Sequence, residues 1–147
     1  MTLQISIVPY LDLAFTLPLV SGYLTEAANR TKGRSSLSDI ARTVFNGAYT
    51  LWLVFDPEAK TVHGCFITEI KTYPQMKMLC IQHCAIDEHH MAQVEEDMQP
   101  LAARFAKDAG CDGIEFIGRP GWKKHAEKYG YLAQSVAYTK FLDKDAA

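Results

Sequence analysis

Residues 79–131 read LCIQHCAI, then DEHHMAQVEEDMQPLAARFAKDAG, then CDGIEFIG, then RPGWKKHAEKYGY. The first block has the density of apolar and β-branched residues of a buried strand, the second a helical run, the third a short strand, and the fourth a helix closing on Gly130-Tyr131. Strand, helix and strand at this spacing predict a βαβ crossover, which lays two parallel strands side by side with the helix across one face. A pocket is expected where that helix begins, because a helix start offers unpaired N–H groups and a partial positive charge.

Upstream, Gln4 to Val8 alternates as a short strand and stops at Pro9. A helix is expected from near Thr16 to Arg30, since Pro18 suits a first turn better than an interior. A second helix opens at Leu37 with Ser36 or Ser38 as N-cap, shows Ile40, Val44 and Phe45 as its apolar stripe, and ends at Asn46-Gly47. Tyr49 to Phe55, Thr61 to Thr72 and Met76 to Ile86 are three consecutive strands joined by turns at Asp56-Pro57 and Tyr73-Pro74, an antiparallel meander. Leu132 to Leu142, with Val136, Tyr138 and Phe141, predicts a last strand. The expected fold is a single α/β (α+β mixed) domain over residues 1–147. Its central mixed sheet has six to seven strands, antiparallel first and parallel at the β4–β5 junction, flanked by about four helices.

The chain has 147 residues, 48% of them hydrophobic, and a net charge of −2. One ordinary core is within reach of that length. The charge gives no basic footprint for nucleic acid. No run approaches the ~20 apolar residues of a membrane span, and the N-terminus lacks a basic, leader-like region. A cytoplasmic location is expected. Cys65, Cys80, Cys84 and Cys111 form no CxxC pair, and four residues along a strand would hold Cys80 and Cys84 about 13 Å apart. All four are expected as small buried residues in a reducing compartment.

The element order, together with FAKDAGCDGIEF and the closing KYGY, resembles the GCN5-related N-acetyltransferase (GNAT) superfamily. In that family a helix ends in Ala-x-x-x-Gly, here Ala106 to Gly110, and the last helix closes in a Gly-aromatic pair, here Gly130-Tyr131. The strand after the short helix, Thr68-Glu69-Ile70 through Tyr73-Pro74, and IEFIGRPGW look like small GNAT-like proteins of tailed bacteriophages. The resemblance implies an acetyl-CoA pyrophosphate loop, Arg/Gln-x-x-Gly-x-Gly/Ala, leading into the central helix. Counting back from Gly110 places it at His90 to Glu95, where no glycine stands and Glu95, Glu96 and Asp97 follow. Three carboxylates there would stabilise a helix start and repel a diphosphate. His90 and Gln93 are the residues left to meet a cofactor.

The resemblance further implies a Tyr acid four residues before the closing glycine, a place held by Ala126; Tyr129, three residues on, is a catalytic candidate that points elsewhere on the helix and also reads as packing against the sheet. Glu69, His83 and Glu115 fall on strands near an acceptor and are candidates for a general base. Glu69 and Glu115 also read as solvent-facing residues, and His83 as a satisfied sheet histidine. The His89-His90 pair does not make a metal set. Arg119, Trp122 and Lys123 have the composition of a protein contact. The resulting expectation is a GNAT-fold protein with a degenerate acetyl-CoA site and no cofactor. It would be a non-catalytic binding or assembly component with a protein partner, open to homo-oligomer formation, placed in the host cytoplasm and then in a phage virion. The alternative is an acetyl-CoA-dependent N-acyltransferase acting on a small amine or a protein amine. An acetyltransferase acting on charged tRNA ranks last, for want of basic surface.

Overall fold

The computed structural model describes residues 2–118 and 120–142. The chain divides into two compact units, Met1–Ile117 and Gly118–Ala147.

The first unit carries one five-stranded sheet in sequence order: β1 (Gln4–Ile7), β2 (Tyr49–Asp56), β3 (Thr61–Thr72), β4 (Lys77–Ile86) and β5 (Gly113–Phe116). The pairs β1–β2, β2–β3 and β3–β4 are antiparallel and β4–β5 is parallel, as the meander and the crossover require. Helices α1 (Leu13–Asn29) and α2 (Leu37–Phe45) pack on one face, where Val20, Leu24, Ile40 and Val44 meet Leu51, Cys65 and Ile67. Helix α3 (Met91–Asp108) covers the other, with Val94, Met98, Ala102 and Ala106 against Trp52, Phe66, Leu79 and Ile81. Buried Trp52 stacks on Phe66 and donates its indole N–H to Thr68 Oγ1 at 2.9 Å, so its one polar atom is satisfied inside the core.

Both glycine motifs behind the resemblance are helix C-caps. At the end of α3, Gly110 takes φ +77°, Cys111 N–H reaches Ala106 O at 2.8 Å and Gly110 N–H reaches Lys107 O at 3.0 Å. This pair of bonds is a Schellman motif, and the left-handed residue at its centre favours glycine. The second unit repeats it after α4 (Lys123–Lys128). There Gly130 has φ +90° and Tyr131 N–H bonds Ala126 O at 3.0 Å.

Ser36 caps α2 in a full box, its hydroxyl taking the Asp39 N–H and the Asp39 carboxylate taking the Ser36 N–H. The bonds that the Asp39 carboxylate accepts from the Ser36 N–H and hydroxyl, and the Arg42 charge, hold it below its ordinary range although it is exposed. Replacing Ser36 with alanine is expected to cost about 1 kcal/mol, which thermal denaturation would register as a midpoint lowered by roughly 2–4 °C.

Four expectations are corrected. The sheet has five strands, because residues 132–142 carry no strand: Leu132, Val136, Tyr138, Phe141 and Leu142 are exposed and pair with no ladder among the described residues. Alternation shows that a segment suits a pleated surface, and it cannot supply the partner strand. Helix α1 begins at Leu13, three residues early, with Pro18 inside it after a 3-10 turn at Tyr10–Asp12. Phe45 lies outside the buried stripe of α2, at 42% exposure, because Ile40 and Val44 are four apart and Phe45 falls a further 100° round the helix. Among the cysteines, all free, Cys65 and Cys80 are buried while Cys84 and Cys111 are only partly so. The number of α-helices among the described residues is four, as expected. None of these is long and apolar enough to cross a membrane.

Candidate functional site

The parallel pairing between β4 and β5 is short. It runs from Met78↔Gly113 to Ile81↔Phe116 and stops, whereas β4 continues to Ile86. Beyond Ile81 the outer edge of β4 is paired by no strand among the described residues. The other edge remains zipped to β3, but the register slips there. Ile67 pairs Gln82 and Cys65 pairs Ala85, so the two residues His83 and Cys84 stand opposite the single residue Phe66. This is a β-bulge on β4, and its first residue, His83, is held at φ +50°. A non-glycine residue in the left-handed region is a strained position of the kind that clusters at functional sites. The bulge also moves Cys84 into the α3 core, so Cys80 and Cys84 do not share a face. Burial pushes the Cys84 thiol up to about 12, and the nearby Arg30, whose guanidinium donates to Cys84 O at 2.8 Å, works against that.

His83 lies on the α1/α2 side. Its ring centroid is 5.6 Å from that of Tyr49, and Glu69 acts on it electrostatically. Gln82 Nε2 donates to Glu69 Oε1 at 2.9 Å and so fixes the carboxylate. His83 Nε2 is buried and has no hydrogen-bond partner among the described residues, so the reading of a satisfied sheet histidine is corrected. Burial drives the His83 pKa down, and Glu69 opposes the shift. The product is a neutral imidazole near pH 7 whose buried Nε2 lacks a partner among the described residues, with the Glu69 carboxylate, fixed by Gln82, acting on it electrostatically. Burial, then Glu69, raise the Tyr49 hydroxyl above its usual value. Two of the sequence candidates, Glu69 and His83, are thus brought together.

At the end of β4 the chain makes a 3-10 turn, Glu88–His90, and enters α3 at Met91. No side chain caps that start, and its first turn holds no acidic residue. Glu95, Glu96 and Asp97 lie about 6 Å or more further along, from a rise of 1.5 Å per residue. The expectation that they close the helix mouth is corrected: the helix starts four residues before Glu95, and Glu95 is itself buried and engaged. Gln93 turns its amide onto Asp97, 3.0 Å from each carboxylate oxygen.

Imidazoles gather at this turn instead. His90 rests 4.1 Å from His89 and 4.6 Å from His63, centroid to centroid, and its Nε2 is buried without a partner among the described residues. Burial first, and then His89 and His63, lower its pKa. Asp87 anchors the turn. It takes the Tyr23 hydroxyl of α1 at 2.8 Å and lies 3.0 Å from His63 Nδ1 of β3. Burial would raise the Asp87 carboxyl, but the bonds from Tyr23 and His63 outweigh it and hold it low, while burial and Asp87 push Tyr23 up to about 12. No group of three or more His, Cys, Asp or Glu among the described residues could hold a metal ion.

The remaining candidates belong to the second unit. Trp122 ends a 3-10 turn with its ring 6.3 Å from His125, Lys123 opens α4, and Tyr129 is partly buried with the Lys128 ammonium 5.4 Å from its ring. Arg119 lies outside the described residues. Tyr49, Gln82, Asp87, His63 and Tyr23 were missed in the sequence. The alternation of β2 hinted at Tyr49, and nothing local marked the others.

Comparison with known proteins places the fold. The chain matches an acetyltransferase of Trypanosoma brucei at TM-score 0.69 and 17% identity, covering 96% of this chain and 100% of that one. It matches glucosamine-6-phosphate N-acetyltransferase from Arabidopsis thaliana at TM-score 0.67 and 14% identity, covering 97% and 100%. It also matches an aminoglycoside acetyltransferase from an uncultured soil metagenomic sample at TM-score 0.70 and 12% identity, covering 97% and 100%. The chain has the GNAT acetyltransferase fold. No family model and no curated protein matches the sequence. Nothing among the similar structures above links it to bacteriophage proteins.

Acyl-coenzyme A, the cofactor that the sequence resemblance implies, would meet the end of β4 and the β4–α3 turn. The 3-10 turn runs straight into α3, so Met91 N–H is already bonded to Glu88 O and His90 N–H to Asp87 O, and the groups left at the entrance are the Glu88 and His89 amides with the His89 and His90 rings beside them. The fit differs from the family pattern in one respect. With no glycine between Gly64 and Gly110, the phosphates would meet backbone that carries side chains.

Proposed function

We propose that the protein is an acyl-CoA-dependent N-acyltransferase with an amine acceptor. The observation that carries this is the bulge at His83: a strained, neutral imidazole with an unpartnered nitrogen, set beside Glu69 where β4 and β5 part company. When bound, the coenzyme supplies an acyl group activated as a thioester. His83 would take the proton that the amine nitrogen loses as it bonds the acyl carbon and the acyl carbon–sulfur bond breaks, and the imidazolium would return that proton to the departing thiolate. Glu69, held by Gln82, orients the amine and favours the imidazolium once it forms. Tyr49 walls the imidazole on its β2 side. The Asp87 bonds to Tyr23 and His63 tie the β4–α3 turn to α1 and β3 and so fix where His89 and His90 stand. Similar structures described as acetyltransferases support the reading at the level of fold.

Calorimetric titration with acetyl-CoA is the test. Binding in the micromolar range is expected. Absence of heat at millimolar coenzyme would overturn the proposal and favour a second reading, a non-catalytic binding or assembly component such as a virion protein, whose partner would meet Trp122 and Lys123. What favours that reading is the lack of glycine at the β4–α3 turn and alanine at position 126.

A further inference from the structure

We infer that Thr61 is a nucleophile whose hydroxyl, set up by His63 and Asp87, takes an acyl group from a small aryl ester. The inference rests on β3 and the turn after β4, and it is independent of the transferase reading.

Three side chains form one bonded line. Thr61 Oγ1 lies 2.9 Å from His63 Nε2, and His63 Nδ1 lies 3.0 Å from Asp87 Oδ2. A hydroxyl within reach of an imidazole whose far nitrogen is fixed by a carboxylate is the arrangement that activates an oxygen nucleophile. The direction of the bonds follows from charge. Burial would raise the Asp87 carboxyl, but the bonds from Tyr23 and His63 outweigh it, so Asp87 is a carboxylate and only accepts. In the neutral imidazole the hydrogen is therefore on Nδ1. Nε2 is left as a lone pair, and the Thr61 hydroxyl is the donor to it.

A fourth group locks the carboxylate. Tyr23 of α1 donates to Asp87 Oδ1 at 2.8 Å, so each oxygen of Asp87 has its own partner and the one facing His63 cannot swing away. Burial, and then Asp87, hold that phenol up at about 12, which keeps it a donor.

The backbone singles out the same residue. Phe55 of β2 pairs Val62 and Val54 pairs Gly64, so His63 is the extra residue of a bulge on β3, a feature over-represented beside active sites. The His63 side chain keeps 14% of its exposure and Asp87 30%, whereas Thr61 is exposed. The hydroxyl is thus open to a reagent while its base is largely shielded from water.

The chemistry is acyl transfer to oxygen. Thr61 Oγ1 bonds the acyl carbon, the bond from that carbon to the phenolic oxygen breaks, and the hydroxyl proton passes through His63 Nε2 to the departing phenolate. Aryl esters are the fitting class because a phenolate is a good leaving group and needs no strong acid beside it.

The test mixes p-nitrophenyl acetate with the full chain, follows nitrophenol release by absorbance and maps the acetyl group by peptide mass spectrometry. A burst of one equivalent per chain is expected, with the acetyl group on Thr61. Thr61→Ser should keep both, and Thr61→Val, at an exposed position, should lose both without lowering the thermal midpoint. His63→Gln should slow the burst at least a hundredfold, the scale of general-base catalysis. An acetyl group found only on lysine, cysteine or histidine, a burst that survives in Thr61→Val, or a parental rate in His63→Gln would overturn the inference. No coenzyme is present in the assay, so its result is the same whether or not the protein binds acetyl-CoA.

Discussion

Replacing Gly64 with alanine is expected to destabilise the first unit by about 3 kcal/mol or more, the mechanism being forced overlap in a close-packed interior. Gly64 lies in β3 opposite Ile86, with φ +154°. A Cβ there would fall 2.6 Å from Ala85 O and 2.7 Å from Ile86 Cα, both backbone atoms. A side-chain clash can be relieved by a rotamer change, but this one can be relieved only by separating β3 from β4. The separation would begin at the end of the ladder that holds the β4 bulge and the Asp87 turn. Thermal denaturation should show a midpoint lowered by roughly 6–12 °C. A midpoint within 2 °C of the parent would mean that the strands are not this close.

The same place shows what a sequence can and cannot disclose. Signals that act within one turn of chain were legible: the Ser36–Asp39 box and the two glycine caps at Gly110 and Gly130 each satisfy backbone groups a few residues away. The meander was legible because its strands are joined by short turns. The bulge at His83 was not, because a one-residue slip is a relation between β3 and β4 and leaves no mark in either strand alone. The line from Thr61 through His63 to Asp87 was not legible either, because only the fold brings Asp87 to a residue 24 positions earlier in the chain. The carboxylates of α3 were misjudged by a single turn. Counting from Gly110 placed the helix mouth at Glu95, but uncapped ends leave no residue type to mark where a helix begins. The alternation of 132–142 expressed β-propensity that no strand among the described residues takes up.

Removing the imidazole at the bulge is the more consequential test of chemistry. His83→Asn is the suitable substitution, because asparagine tolerates the left-handed backbone at this position and so separates loss of the base from loss of the bulge. General-base catalysis is worth about 10²–10⁴-fold, so kcat/KM for acyl transfer should fall at least a hundredfold while affinity for acetyl-CoA stays within about threefold. The pH dependence carries a sign. Burial depresses the pKa of His83 in the folded protein below the 6.5 of an ordinary histidine. The unfolded chain therefore binds more protons between that lowered value and 6.5. The corresponding stability is fully present above pH 6.5 and is lost as pH falls through the folded value. His90, depressed by burial and by its histidine neighbours, adds in the same direction. In the His83→Asn variant the fall in stability below pH 6.5 should be shallower than in the parent, while the acid limb of the rate profile disappears. If the variant turns over at the parental rate, His83 is not the base, and the strain at φ +50° serves only to turn the strand.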